Sequence, residues 1–119
     1  MPGYFTDFAN NKILDLFFGA TPYTAPTTLY IGLSNASANK FGIVSEPSGG
    51  GYVRVAVSNN LTSFPAAATG TKSNASVITF NQPTADWGTP QSVFVADALT
   101  GGNVLAMADL TVSRALTAG

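Results

Sequence analysis

From Thr27 onward the chain is a succession of short apolar runs, each closed within a few residues by Gly, Pro, Asn or Ser. Runs of this length and spacing are too short for packed helices, and they suit strands joined by turns. The stretch Tyr52–Ser58 (YVRVAVS) alternates strictly, so Val53, Val55 and Val57 fall on one face and Tyr52, Arg54, Ala56 and Ser58 on the other. The valine face is the expected core face. Further strands are expected over Thr27–Leu33, Ala75–Phe80, Ser92–Asp97 and Asn103–Leu110, with one more over Val112–Leu116. Ala98–Gly102 has the length and composition of a hairpin loop between the fourth and fifth of these six strands. No strand–helix–strand alternation occurs, which argues against a parallel sheet.

The N-terminal segment follows a different period. Phe5, Phe8, Ala9, Ile13, Leu16 and Phe17 recur at spacings of three and four, the signature of one helix face. Thr6 is placed to cap this helix, Asp7 suits the positive end of its dipole, and Gly19 followed by Pro22 marks its end. The aromatic face either packs on the core, the commoner outcome, or docks on a partner. The expected fold is therefore mainly β, an antiparallel β-sandwich or flattened barrel with one N-terminal α-helix. At 119 residues it fits one domain over 1–119, with the helical segment at 1–19 and the sandwich at 27–116.

Composition excludes several functions. Charged residues are 9% of the chain, against roughly 25% in an ordinary soluble domain. The five basic residues, Lys12, Lys40, Arg54, Lys72 and Arg114, are scattered singly. Such a distribution offers no nucleic acid footprint and no electrostatic membrane anchor. Ser, Thr, Asn and Gly take the place of charge, giving a surface that costs little to desolvate. That fits an exterior covered by neighbouring proteins, and it equally fits a plain Thr- and Gly-rich β-protein. No apolar stretch approaches the ~20 residues of a membrane span, and the N-terminus lacks the pattern of a secretory signal.

Reactive groups are scarce. With no His and no Cys, the common acid–base pairs, thiol nucleophiles and Cys/His zinc sites cannot be built. No two of the six acids (Asp7, Asp15, Glu46, Asp86, Asp97, Asp109) fall within five residues of each other. The spacing offers no metal-binding or phosphate-binding motif. Gly49-Gly50-Gly51 runs into a strand, not a helix, and reads as a flexible or tightly turned approach to Tyr52. The expectation is a protein without catalytic residues, cofactor or metal. Tyr4, Tyr23, Tyr52 and Trp87 are aromatics that either cover sheet edges or meet partners.

Particular stretches carry a resemblance. Asn11–Asp15 (NKILD), Thr21–Pro26 (TPYTAP), Leu29–Ser34 (LYIGLS), Glu46–Val57 (EPSGGGYVRVAV), Ala85–Thr89 (ADWGT) and Thr100–Leu105 (TGGNVL) together resemble a family of small phage structural proteins commonly labelled tail-fibre or minor structural proteins. The resemblance implies a virion component, assembled in the host cytoplasm, whose partners are the major capsid protein or tail proteins and further copies of itself. Members run on past Thr117–Gly119 into another apolar strand, which implies an open sheet edge here, ready to be filled by a neighbour. The leading expectation is a capsid decoration (cement) protein, because a small, sparsely charged single domain suits a tile. A tail-fibre or tail-associated module is the alternative, and a carbohydrate-binding module using Trp87 and the tyrosines is a further one. Partner contacts are expected from Tyr4, Phe5, Phe8, Glu46, Tyr52 and Trp87, on the N-terminal segment, the Ser34–Gly51 loop and the aromatic turns.

Overall fold

The computed structural model describes residues 3–118. The readings made above at Met1, Pro2 and Gly119 lie outside them. The elements are β1 (Gly3–Phe5), α1 (Asp7–Phe17), β2 (Thr28–Ser34), β3 (Val55–Ser58), β4 (Ser92–Ala96) and β5 (Val104–Asp109). All strand pairs are antiparallel, in one five-stranded sheet of order β1-β5-β4-β2-β3. The mainly β architecture with one N-terminal helix is as expected. The strands, however, form a single sheet among the described residues, and not the two of a sandwich.

The missing sheet traces to particular segments. Ala75–Phe80 forms no ladder: the Ala75 N–H donates to the Ser63 carbonyl (2.8 Å), and the Asn74 amide turns back on the Ser76 carbonyl (2.6 Å). Such local bonds compete with strand pairing. Val112–Leu116 contributes a single bridge, Leu116 with Gly88. The stretch Tyr52–Ser58 is regular only from Val55, and the expected core face is altered accordingly. Val55 and Val57 are half-buried, Val53 is exposed, and Arg54 from the supposed solvent face is buried. Conversely, Gly3–Phe5 pairs with β5, a strand too short for periodicity to reveal.

The sheet has two apolar faces. Residues directly opposite each other in an antiparallel ladder share a face. One cross-strand row runs Tyr4, Met107, Phe94, Gly32. On this side Phe94, Ala96, Val104 and Met107 form the buried core, with Ala38 and Val44 of the 35–54 loop packed against them. Two hydroxyls pin that loop. The Ser34 Oγ accepts from the Ala36 and Ser45 N–H groups, and the Ser92 Oγ donates to the Ala36 carbonyl. The next row, Phe5, Ala106, Val95, Ile31, Val55, lies on the opposite face.

Thr6 joins the helix to the sheet. Its Oγ1 donates to the Val104 carbonyl (2.6 Å) and accepts from the Ala9 N–H (3.3 Å), the expected cap, and the residue is 1% exposed. Beyond this first turn α1 overhangs. Only Ala9 is buried; Ile13 and Leu16 sit over a shallow groove with Tyr23 and Leu105, while Phe17 and Phe18 are 73% and 86% exposed. The core-packing expectation for this face is thus met only at its start. The helix also ends differently: the left-handed residue is Ala20 (φ 50°), not Gly19, and the Thr21 N–H returns to the Asp15 carbonyl.

Gly32 is the tightest point of the core. A Cβ there would stand 2.2 Å from Phe94 Cζ, so only glycine lets the ring lie flat on β2. Gly32→Ala is expected to destabilise by about 3 kcal/mol. Gly49→Ala, at φ 70° but with open space around it, should cost only about 1 kcal/mol. Urea unfolding followed by the fluorescence of Trp87, the single tryptophan, measures both.

Candidate functional site

The six residues expected at a partner surface fall into two groups. Glu46, Tyr52 and Trp87 converge on one another. Beyond Val55 the edge strand β3 turns away from β2, which strips the Leu33 N–H of a ladder partner. The Tyr52 Oη accepts that N–H (3.0 Å) and donates to Glu46 Oε2 (2.6 Å). Glu46 is also gripped by Arg54, whose Nε donates to Oε2 (3.0 Å) and Nη2 to Oε1 (2.7 Å). Arg54 Nη1 donates to the Ala98 and Gly101 carbonyls of the β4–β5 hairpin loop (2.6 and 3.0 Å). The guanidinium carbon lies 5.0 Å above the Phe94 ring. Buried charge is tolerated here because it is paired, hydrogen-bonded and set on an aromatic face.

Trp87 completes this brace. Its ring meets Tyr52 edge-on, with centroids 5.3 Å apart, and its Nε1 donates to the Gly50 carbonyl (2.8 Å). Gly49, Gly50 and Gly51 all have positive φ, so the triplet is tightly turned. A side chain at Gly50 would meet the Ala85 carbonyl and the indole nitrogen near 3.0 Å. Trp87 is 3% exposed. Its ring therefore has no free face for a sugar, which takes Trp87 out of the carbohydrate-binding alternative. Any contribution of Trp87 to a partner surface runs through the backbone it holds.

The same bonds set the electrostatics of the brace. Burial pushes the Glu46 carboxyl up, but hydrogen bonds from Arg54 and Tyr52, with the Arg54 charge, outweigh it and hold the group below its ordinary value of 4.5. Burial, then the bond to Glu46, drives the Tyr52 phenol well above its usual range. The Glu46 bond raises Arg54 as well. Both Glu46 oxygens and the Tyr52 hydroxyl are thus engaged in hydrogen bonds within the brace. Two other acids are likewise hydrogen-bonded within the fold. Asp97 accepts from the Asn103 N–H and amide, and Asp109 accepts from the Ala38 N–H. Among the described residues no cluster of three or more His, Cys, Asp or Glu could hold a metal ion. No helix among them is long and apolar enough to cross a membrane.

Tyr4, Phe5 and Phe8 form the second group, at the other end of the sheet. Tyr4 and Phe5 are 45% and 58% exposed; Phe8 is half-buried, edge-on to Tyr23. Phe5 borders an open apolar groove of about 360 Å³ whose floor is Val93, Val95, Ala106 and Ala108. Sequence reasoning missed these four. The available signal was the run Ser92–Ala96 (SVFVA), which is apolar on both faces and so requires cover on both. Nearby, the Asn39 side chain closes the 39–43 turn, accepting from the Phe41 and Ile43 N–H groups and leaving both side chains about two-thirds exposed.

Because Glu46 is held below its ordinary value, the stability it contributes is complete above pH about 4.5 and is lost as pH falls through the lower, folded value. Glu46→Gln should flatten that acid-side loss. Arg54→Met, which strands the carboxylate, should cost about 3–5 kcal/mol at neutral pH. Urea titrations of the three proteins across pH 3–7 check both expectations.

Comparison with known proteins bears on what such a surface serves. No curated protein matches the chain. A family model described as Podophage GP4 fiber I protein gp80 matches residues 4–119, nearly the whole sequence. The match speaks for a fibre component of the virion, the alternative reading above, and lends nothing to a capsid decoration role. By that match the chain belongs to the podophage GP4 fiber I protein gp80 family.

Proposed function

We propose that this protein is a non-enzymatic structural subunit of a phage tail fibre, joined to other virion proteins through apolar surface. The observation that carries the reading is the family match over residues 4–119. Its physical complement is the exposure of Phe5, Phe17, Phe18, Phe41 and Ile43 in a chain with few charges. Aromatic residues left in water by the isolated fold are the usual anchors of protein interfaces. In this reading Tyr4, Phe5 and Phe8 make direct contacts. Glu46, Tyr52 and Trp87 act one step back, fixing the loops that shape the surface.

Quantitative mass spectrometry of purified particles separates a fibre from a shell role. A fibre subunit should be present in a handful of copies per particle, with antibody labelling confined to the tail. Hundreds of copies spread over the capsid would overturn the proposal.

A further inference from the structure

We infer that the bare half of the second sheet face is covered by the same face of another copy of this chain, so that the sandwich expected from the sequence is completed between two molecules. The inference deepens the structural-subunit reading and rests on it only in taking the protein to be an assembly component.

Three observations carry it. The first is the asymmetry of the sheet. Its Phe94 face is closed by the chain's own 35–54 loop. The opposite face is closed over β2, where Ile31 and Leu33 are 7% and 9% exposed, and opens progressively through Val93, Val95, Ala106 and Ala108 to Phe5. The connection after β3 lies against Val55 and Val57, at the far edge, and does not line the open groove.

The second is area. The chain exposes 7347 Å² at 12.2 kDa. A compact monomer of that mass exposes about 6,100 Å². The excess, about 1,200 Å², is more than the roughly 800 Å² that each partner contributes to a stable interface. The Cα radius of gyration is 14.9 Å, where a compact chain of this length has about 13.5 Å. This excess is shared between the open sheet face, the overhanging α1 and the connection after β3, and it is large enough to include an interface.

The third is the form of the patch. It holds no charged residue, so a like copy meets no repulsion. It also pairs a projection with a depression. In the β1–β5 register Phe5 stands opposite Ala106, and Gly3 opposite Ala108, so a large ring sits beside a trough of small residues. Under a two-fold axis the ring of each copy meets the trough of the other, as an isologous interface requires. Two such faces stack as the layers of an aligned sandwich.

Sedimentation velocity of the full chain across a concentration series tests this. The expected result is an even-numbered assembly, weakened at least about a hundredfold by Ala108→Glu, which buries an unpaired charge at the interface. Val112→Ser, at an exposed position outside the groove, should leave it unchanged. A second variant guards against misfolding. The chain has no cysteine, so Ala106→Cys, a near-isosteric change, introduces a single thiol. A short bis-maleimide should link it to a second copy as a covalent dimer. A monomer at every concentration, an odd-numbered assembly, loss of association on Val112→Ser, or no Ala106→Cys cross-link would each overturn the inference. None of these results touches the copy number in particles, so the fibre reading stands or falls separately.

Discussion

The ion pair between Arg54 and Glu46, set over Phe94, holds the rest of the structure together. A sheet of short strands with long connections has little local information to fix its loops. Here a single guanidinium reaches two of them and the sheet. It binds Glu46 of the 35–54 loop, the Ala98 and Gly101 carbonyls of the hairpin, and the face of Phe94 in the sheet. Tyr52 extends the same system to the orphaned Leu33 N–H, and Trp87 extends it to Gly50. From Trp87 the Leu116 bridge brings in the C-terminal segment. Gly32 is required because Phe94 must lie close to β2 to support the charge above it. The cost of burying a charge is met by four hydrogen bonds and a ring, and the gain is a defined arrangement of segments without regular structure.

This explains which parts of the fold were legible in the sequence. β2, β4, β5 and the hairpin were readable because their signals are local: alternation, strand length and paired glycines. Thr6 as a cap was readable for the same reason. Tyr52–Ser58 misled because alternation assigns Arg54 to solvent, whereas a carboxylate eight residues earlier draws it inward. Nothing local could announce that pairing. Ala75–Phe80 has strand composition, yet no neighbouring strand offers it a ladder, and local side-chain bonds take its place. The aromatic face of α1 showed its period correctly, but period cannot say what a face packs against.

The candidate surface was legible in part. Tyr4, Phe5 and Phe8 do sit at the exposed end of the sheet. Glu46, Tyr52 and Trp87 share a neighbourhood that nothing in the sequence announced, and it lies inside the molecule. The groove residues Val93, Val95, Ala106 and Ala108 went unnoticed because an apolar strand reads as core whether or not anything covers it. Read together, the two faces divide the labour of the sheet. One is occupied by the chain's own loops through the brace; the other is covered over β2 and β3 and open toward Phe5.

The account depends on the braced loops belonging to the same cooperative unit as the sheet. Native-state hydrogen exchange tests this most directly. The amides of Leu33, Asn35, Thr84 and Trp87, bonded to Tyr52, Ser45, Gly50 and Leu116, should open with the same free energy as those of β4. Exchange of these four through low-energy local openings, while β4 stays protected, would show that the sheet stands without the brace and would contradict the account.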